Sequence, residues 1–369
     1  MRIGSHRLRW PLALVLLVIA ALSGCGGGGG GTSPPPPVAS PPEFRHEGLT
    51  GRTVSQIYQH GTRLFAATDE GLYGKTLGED QWSLIGLAED RVQDLAIVDE
   101  QHWLAAVAAS GAELFVNPRL METVNGGANW AVVENDFGGG SSENLGIAAM
   151  QYEASSGRLY ATEQEALAVS TDFGRTWQLL SGFWGGFSMP KEALNINTAR
   201  GEVWFAGQNA LEQMDLRRHD LASGETFQFD KFLLPSPATI KGITLDPANP
   251  ERVLASGEGG ILQSFDNGQS WTALLGDVNF RFYFQAALDP MDSDVIYTAS
   301  WVKETDLPQP LVFETSTDRG TSWTRFELAD PDLFGGAWSV RSVIEDERTV
   351  VYLGLFRGGI MKVILPRRG

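Results

Sequence analysis

Seven short apolar runs recur along this chain, each closing on small residues. They read LFAAT from Leu64, WLAAV from Trp103, LYATE from Leu159, WFAGQ from Trp204, VLASG from Val253, IYTAS from Ile296 and VYLGL from Val351. A large aromatic follows each run except the last. These are Trp82, Trp130, Trp177, Phe227, Trp271 and Trp323, separated by 48, 47, 50, 44 and 52 residues. A repeat of this size belongs to propeller blades or to a solenoid. Four strand-length segments per unit and little helical periodicity favour the propeller. The pattern therefore predicts an all-β chain.

The turn before the aromatic is the most regular part of the repeat. It reads STDFGRTW from Ser170 to Trp177, SFDNGQSW from Ser264 to Trp271 and STDRGTSW from Ser316 to Trp323. A worn copy, TVNGGANW, runs from Thr123 to Trp130, with Asn125 in place of the acid. The spacing suits a tight hairpin. Asp172, Asp266 and Asp318 can accept hydrogen bonds from nearby backbone N–H groups. Gly174, Gly268 and Gly320 allow positive φ at no steric cost. Trp177, Trp271 and Trp323 start the next strand and are large enough to anchor a packing layer. This S/T-x-D-x-G-x-S/T-W pattern resembles the Asp box of BNR, sortilin-type and xyloglucanase-like β-propellers. In those propellers the box lies on the turn between third and fourth strands, away from the ligand site. The resemblance therefore implies a structural role for the box residues.

Blades are expected at about 54–85, 92–133, 145–180, 193–229, 240–275, 284–328 and 338–365. The last has only three strands before the chain ends. The segment from Phe44 to Leu49 is expected to supply the fourth, with Phe44 in the place held elsewhere by Trp. Such a closure removes two exposed strand edges. The fold expected is a seven-bladed β-propeller over residues 43–366, with an N-terminal strand closing the last blade.

Residues 1–24 have the features of a targeting segment. Arg2, Arg7 and Arg9 form a basic start, and Trp10 to Leu22 an apolar stretch of 13 residues, too short to span a bilayer. It ends in Leu22-Ser23-Gly24-Cys25. This resembles the bacterial lipobox, which implies a lipoprotein signal peptide, cleavage before Cys25 and lipidation there. Cys25 is the single cysteine, so an internal disulfide is impossible. Several acyl chains would hold the protein at a membrane surface. For a Gram-negative source, Gly26 in place of Asp implies the outer membrane. Residues 25–42 are Gly-rich and then Pro-rich, a tether that can bury no core.

Net charge is −17 over 369 residues. Nucleic acid is excluded as a partner, because affinity there rests on neutralising phosphate. The five His are scattered without ligand spacing, so no metal site is expected. No phosphate-binding loop and no other cofactor motif is present. A monomer is expected.

Candidate chemistry lies in the loops between blades and between second and third strands. These carry Phe183, Trp184, Phe187, Arg281, Tyr283, Trp301, Lys303 and Trp338. Aromatics beside glycines can form a platform for sugar rings or apolar side chains. They can equally plug the channel and pack beneath the loops. The leading expectation is a membrane-anchored propeller in the cell envelope that binds a protein or glycan partner through this face. One alternative is a glycoside hydrolase or lyase using carboxylates such as Glu192, Asp277 or Asp332. Another is an envelope assembly factor, since the chain more distantly resembles photosynthesis-system assembly propellers. The residue sets of sialidases, and the two-propeller cleft of xyloglucanases, are not evident in the sequence.

Overall fold

A computed structural model describes residues 41–111, 116–141, 146–229, 239–276 and 280–367. Cys25, the segment 1–24, nearly all of the tether and Asp277 lie outside them. The described residues form an all-β, seven-bladed propeller without a helix. Six blades are consecutive antiparallel sheets built from residues 54–86, 90–132, 149–181, 193–228, 240–275 and 281–328. The seventh combines three C-terminal strands, Ala337–Glu345, Arg348–Leu355 and Gly359–Ile364, with the N-terminal strand Glu43–His46. Glu43 pairs with Ile364 and His46 with Met361. The ring therefore closes by a strand from the other end of the described chain, as the three-stranded last repeat predicts.

The seven apolar runs are the second strands of the blades. A second strand has a strand on each side in its own sheet and a neighbouring blade over each face. Both faces are dry, so the sequence reads as a continuous apolar run without alternation. Trp103–Ala109 and Glu202–Gln208 are buried along almost their whole length. Outer strands such as Gln178–Ser181 and Thr272–Leu275 are largely solvated. The core is accordingly divided into clusters, one at each interface between consecutive blades.

The aromatics after the turns reach across those interfaces. Trp130 packs against the cluster between blades 1 and 2, Trp177 between 2 and 3, Trp271 between 4 and 5, and Trp323 between 5 and 6. Trp82 meets Tyr352 of blade 7 edge-on at 6.3 Å. In the seventh blade Phe44 takes this place, 6.4 Å from Phe313. Phe227 does not behave like the others. It is 41% exposed and covers the Arg218 guanidinium at 4.6 Å. Its turn lacks the box, and Leu221 packs into the interface between blades 3 and 4 instead.

The three complete boxes are nearly superimposable in their hydrogen bonds. In the first, Ser170 Oγ donates to Asp172 Oδ1 at 2.8 Å and accepts from Gly174 N at 2.8 Å. Asp172 accepts Thr176 N at 2.9 Å and Thr176 Oγ1 at 2.7 Å, and Trp177 Nε1 donates to Gly174 O at 2.9 Å. Ser264, Asp266, Gly268 and Trp271 repeat this pattern, as do Ser316, Asp318, Gly320 and Trp323. Gly174 sits at φ 83°, and its neighbour Phe173 is also left-handed at 56°. Partial burial opposes ionisation of Asp172. The hydrogen bonds from Thr176, Ser170 and Arg175 outweigh it and bring the pKa down to about 2.

Ring closure carries a buried charge network that the sequence does not announce. Glu47, just after the N-terminal strand, bonds Lys75 of blade 1 at 2.5 Å and lies 3.4 Å from Lys362 of blade 7. Lys362 also pairs with Glu345 at 2.5 Å, which accepts from Tyr352 Oη at 2.5 Å. Lys75 and Glu47 are sealed from solvent, with side chains 0% and 2% exposed. One carboxylate thus ties the two ends of the ring together.

Two predictions follow from these contacts. Glu47→Ala leaves the buried Lys75 without its counter-charge and should cost roughly 3–5 kcal/mol in urea unfolding. A loss below about 1 kcal/mol would show that the closure does not depend on this network. Asp172→Ala should cost about 1–3 kcal/mol through unsatisfied turn donors. Because the folded pKa of Asp172 lies below the ordinary 3.8, its ionic contribution is present above that value. It should fade as pH falls through about 2. Unfolding of both proteins between pH 7 and 2 checks this; a gap that widens on acidification would contradict it.

Candidate functional site

The topology sorts the connections onto two faces. Loops between blades and turns between second and third strands share one face, and the box turns lie on the other. On the loop face the two kinds of connection bond to one another. Gly259 N donates to Arg281 O at 2.9 Å, Lys303 N to Phe280 O at 2.9 Å, and Gly335 N to Gln309 O at 2.9 Å. Between the faces runs a central channel of about 780 Å³, lined by the first strands of all seven blades.

The channel mouth has an aromatic rim between blades 6 and 7. Phe284 and Trp338 stack at 5.0 Å and 15°, both half-buried and both lining the channel. Trp301 meets Trp338 edge-on at 5.6 Å, and Phe282 and Phe356 complete the cluster. Trp301 is only 5% exposed, so it supports the rim from below. Lys241 Nζ stands 5.8 Å from the Phe284 ring and is paired with Glu192.

The remaining candidates fall into separate groups. Trp184 is half-buried and packs edge-on against Phe137 at 4.9 Å, within the interface of blades 2 and 3. Phe183 and Phe187, from the same loop, are 58% and 88% exposed. Tyr283 is buried between blades 5 and 6. Burial first, and then the neighbouring Glu314, push its hydroxyl well above the ordinary tyrosine range, with Arg281 acting against them. Lys303 is exposed on the blade 6 insertion. The structure thus brings Trp301 and Trp338 together, and separately Arg281 and Tyr283. Phe183, Trp184 and Phe187 stand apart from both, on blade 3.

Of the carboxylates that an enzyme could use, Glu192 is held by Lys241 on the channel rim and Asp332 is exposed in the loop between blades 6 and 7. Among the described residues no group of three or more His, Cys, Asp or Glu is placed to hold a metal.

The channel wall itself is polar, which the landmarks of the repeat do not reveal. Tyr58 of blade 1 donates to Asp94 of blade 2, and Asp94 accepts from Met150 N of blade 3 at 2.6 Å. Burial raises the Asp94 pKa to about 6 against those hydrogen bonds. Asn195 Nδ2 bonds Ile243 O at 3.0 Å, Thr244 Oγ1 bonds Ala286 O at 2.5 Å, and Ser342 Oγ bonds Leu288 O at 2.6 Å. Gln285 joins Gln56, Ser339 and Val340. Polar residues at the lumen positions of the first strands are the signal that could have located this belt.

No protein-family model matches this sequence, and no curated protein is similar to it. Solved structures do share its shape. The extracellular domain assigned to a hybrid two component system of B. thetaiotaomicron aligns with TM-score 0.62 and 14% identity, over 89% of this chain and 40% of that one. An ancestral GH74 enzyme aligns with TM-score 0.61 and 12% identity, over 87% and 49%. U3-55K aligns with TM-score 0.59 and 12% identity, over 88% and 100%. The chain therefore spans less than half the length of the first two. Likeness at this level of identity shows the fold, a β-propeller that other proteins put to different uses.

Proposed function

We propose that this protein is an extracytoplasmic propeller, anchored through lipid on Cys25, that binds a protein or glycan partner with its loop face. The observation that carries this reading is the contrast between the two faces. The box turns spend their polar groups internally, Asp172 alone accepting from Ser170, Arg175 and Thr176. The box face exposes Val124 and Phe265 on the separate blades 2 and 5, whereas the loop face presents the channel mouth with its Phe284–Trp338 stack, and exposed apolar side chains at Phe183, Phe187, Phe280 and Leu307. Exposed aromatics around a polar cavity are the usual make-up of a recognition surface. In this reading Trp338 contacts the partner, Trp301 positions it, Phe183 and Phe187 extend the surface over blade 3, and Lys303 steers acidic groups. Trp184, Tyr283 and Arg281 hold the loops that carry them. Extracellular domains occur among the structural neighbours, which supports an address outside the cytoplasm.

A glycan array, run beside a pull-down from envelope extracts, identifies the partner. Trp338→Ala and the pair Phe183→Ser and Phe187→Ser should then weaken its binding by about 2 kcal/mol or more. Val124→Ser, on the box face, should leave it unchanged. Equal loss in Val124→Ser, or none in the loop-face variants, would refute the assignment of faces. For the anchor, Cys25→Ser should move the protein from membrane to soluble fractions. Retention of the variant at wild-type levels in the membrane would refute lipidation at Cys25.

A further inference from the structure

The channel wall contains a cation that the protein does not neutralise. Arg341 lies on the innermost strand of blade 7 and lines the channel. Its Nε donates to Ile57 O at 3.2 Å. Among the described residues no carboxylate forms an ion pair with it, and Tyr58 is the neighbour that acts on its charge. Burial pulls its pKa below the ordinary arginine value. Of the other cations in the channel lining, Lys241 has Glu192, while Arg91, at the start of the first strand of blade 2, has no ion pair among the described residues either. Away from the channel, Lys191 has Asp215 at 2.9 Å and Arg252 has Asp246 at 3.1 Å. Arg341 is half-buried in the channel wall, and partial desolvation of a guanidinium without a counter-charge is unfavourable. The chain as a whole carries −17, so carboxylates are not scarce.

A second polar group is also open. Gln151, on the innermost strand of blade 3, lines the channel, and its side-chain amide makes no hydrogen bond within the described residues. Blades 7 and 3 face each other across a ring of seven. The sequence of contacts from Arg341 to Tyr58, to Asp94 and to Met150 puts the two residues at one level. Tyr58 and Asp94 saturate each other and the Leu95 and Met150 amides, so neither has a free donor to offer. The open groups at this level are therefore one planar cationic fork and one amide, facing each other across the lumen.

A guanidinium fork matches the two oxygens of a carboxylate, and an amide both donates to and accepts from hydroxyls. The stacked Phe284 and Trp338 at the mouth offer ring faces to a saccharide. A volume of about 780 Å³ falls in the range of small-molecule sites. From these observations we propose that the channel binds an acidic saccharide, its carboxylate on Arg341, its hydroxyls on Gln151, and its adjoining sugar against the Phe284–Trp338 stack. This rests on the reading that the loop face takes a glycan, and it names the chemical class.

Calorimetric titration of the wild-type protein with trigalacturonate tests the proposal. Saturable binding is expected, with maltotriose at least about tenfold weaker because it lacks the charge-assisted contact. Arg341→Gln should weaken trigalacturonate by about tenfold or more while maltotriose changes little. Arg341→Lys should recover only part of the loss, because it keeps the charge without the fork. Circular dichroism and melting temperature establish that both variants are folded; should Arg341→Gln fail to fold, Arg341→Lys and Gln151→Ala carry the test. Absence of saturable trigalacturonate binding, or equal binding in Arg341→Gln, would overturn the proposal. So would a tripeptide with a free carboxyl terminus binding in an Arg341-dependent way where trigalacturonate does not, since the channel would then be a peptide site. If the loop-face variants weaken an array-identified partner while Arg341→Gln does not, this inference fails and the loop-face assignment stands.

Discussion

A propeller must close, and here closure depends on pairing between Glu43–His46 and Gly359–Ile364. Every blade buries its second strand between two neighbours, so no interface can be left open without exposing the apolar faces of two sheets. The described residues have no large single core to fall back on. Its apolar side chains are divided among the interfaces between consecutive blades, and the last of these forms only when the two ends of the described chain meet. Glu47 adds a counter-charge shared by Lys75 on one side of the join and Lys362 on the other. Such a pair is unforgiving of the loss of one partner, which makes the correct closure the one without an orphaned charge.

The two faces inherit different chemistry from this architecture. On the box face each turn is self-sufficient. Its serine, aspartate and glycine satisfy one another, and its tryptophan is drawn into the neighbouring interface. A turn that consumes its own donors and acceptors has little to offer a partner. On the loop face the connections bond to each other through their backbones, which leaves side chains such as Phe183 and Phe187 facing solvent. The aromatic rim occupies a middle position, with Trp301 buried beneath Phe284 and Trp338 and holding their geometry.

The channel is bounded by the same logic. First strands converge on the axis, and their inward side chains bond to the adjacent blade. The belt formed by Tyr58, Asp94, Asn195, Thr244, Ser342 and Gln285 stitches interfaces that apolar packing holds further out. It also fixes the pattern of charge along the lumen. Burial brings the Asp94 pKa up to about 6, while Arg341 and Gln151 leave polar groups in the channel lining.

Sequence alone determined the blade count, the place of each second strand and the need for a strand from the N-terminal side. The reason is local. A strand buried on both faces must be continuously apolar, and a box turn must carry its serine, aspartate, glycine and tryptophan at fixed offsets. Both constraints act within eight or so residues and repeat. Phe227 marks the limit of that reading, because its spacing matched while its turn did not, and its ring covers Arg218 on the solvent side of blade 4. Burial of Tyr283 and Trp301, exposure of Phe183 and Phe187, and the company kept by Trp184 were decided by the tertiary structure. So were the Glu47 lock and the unpaired Arg341. Each depends on which side chain from a distant blade arrives beside it. That is set by ring geometry, which no local pattern records.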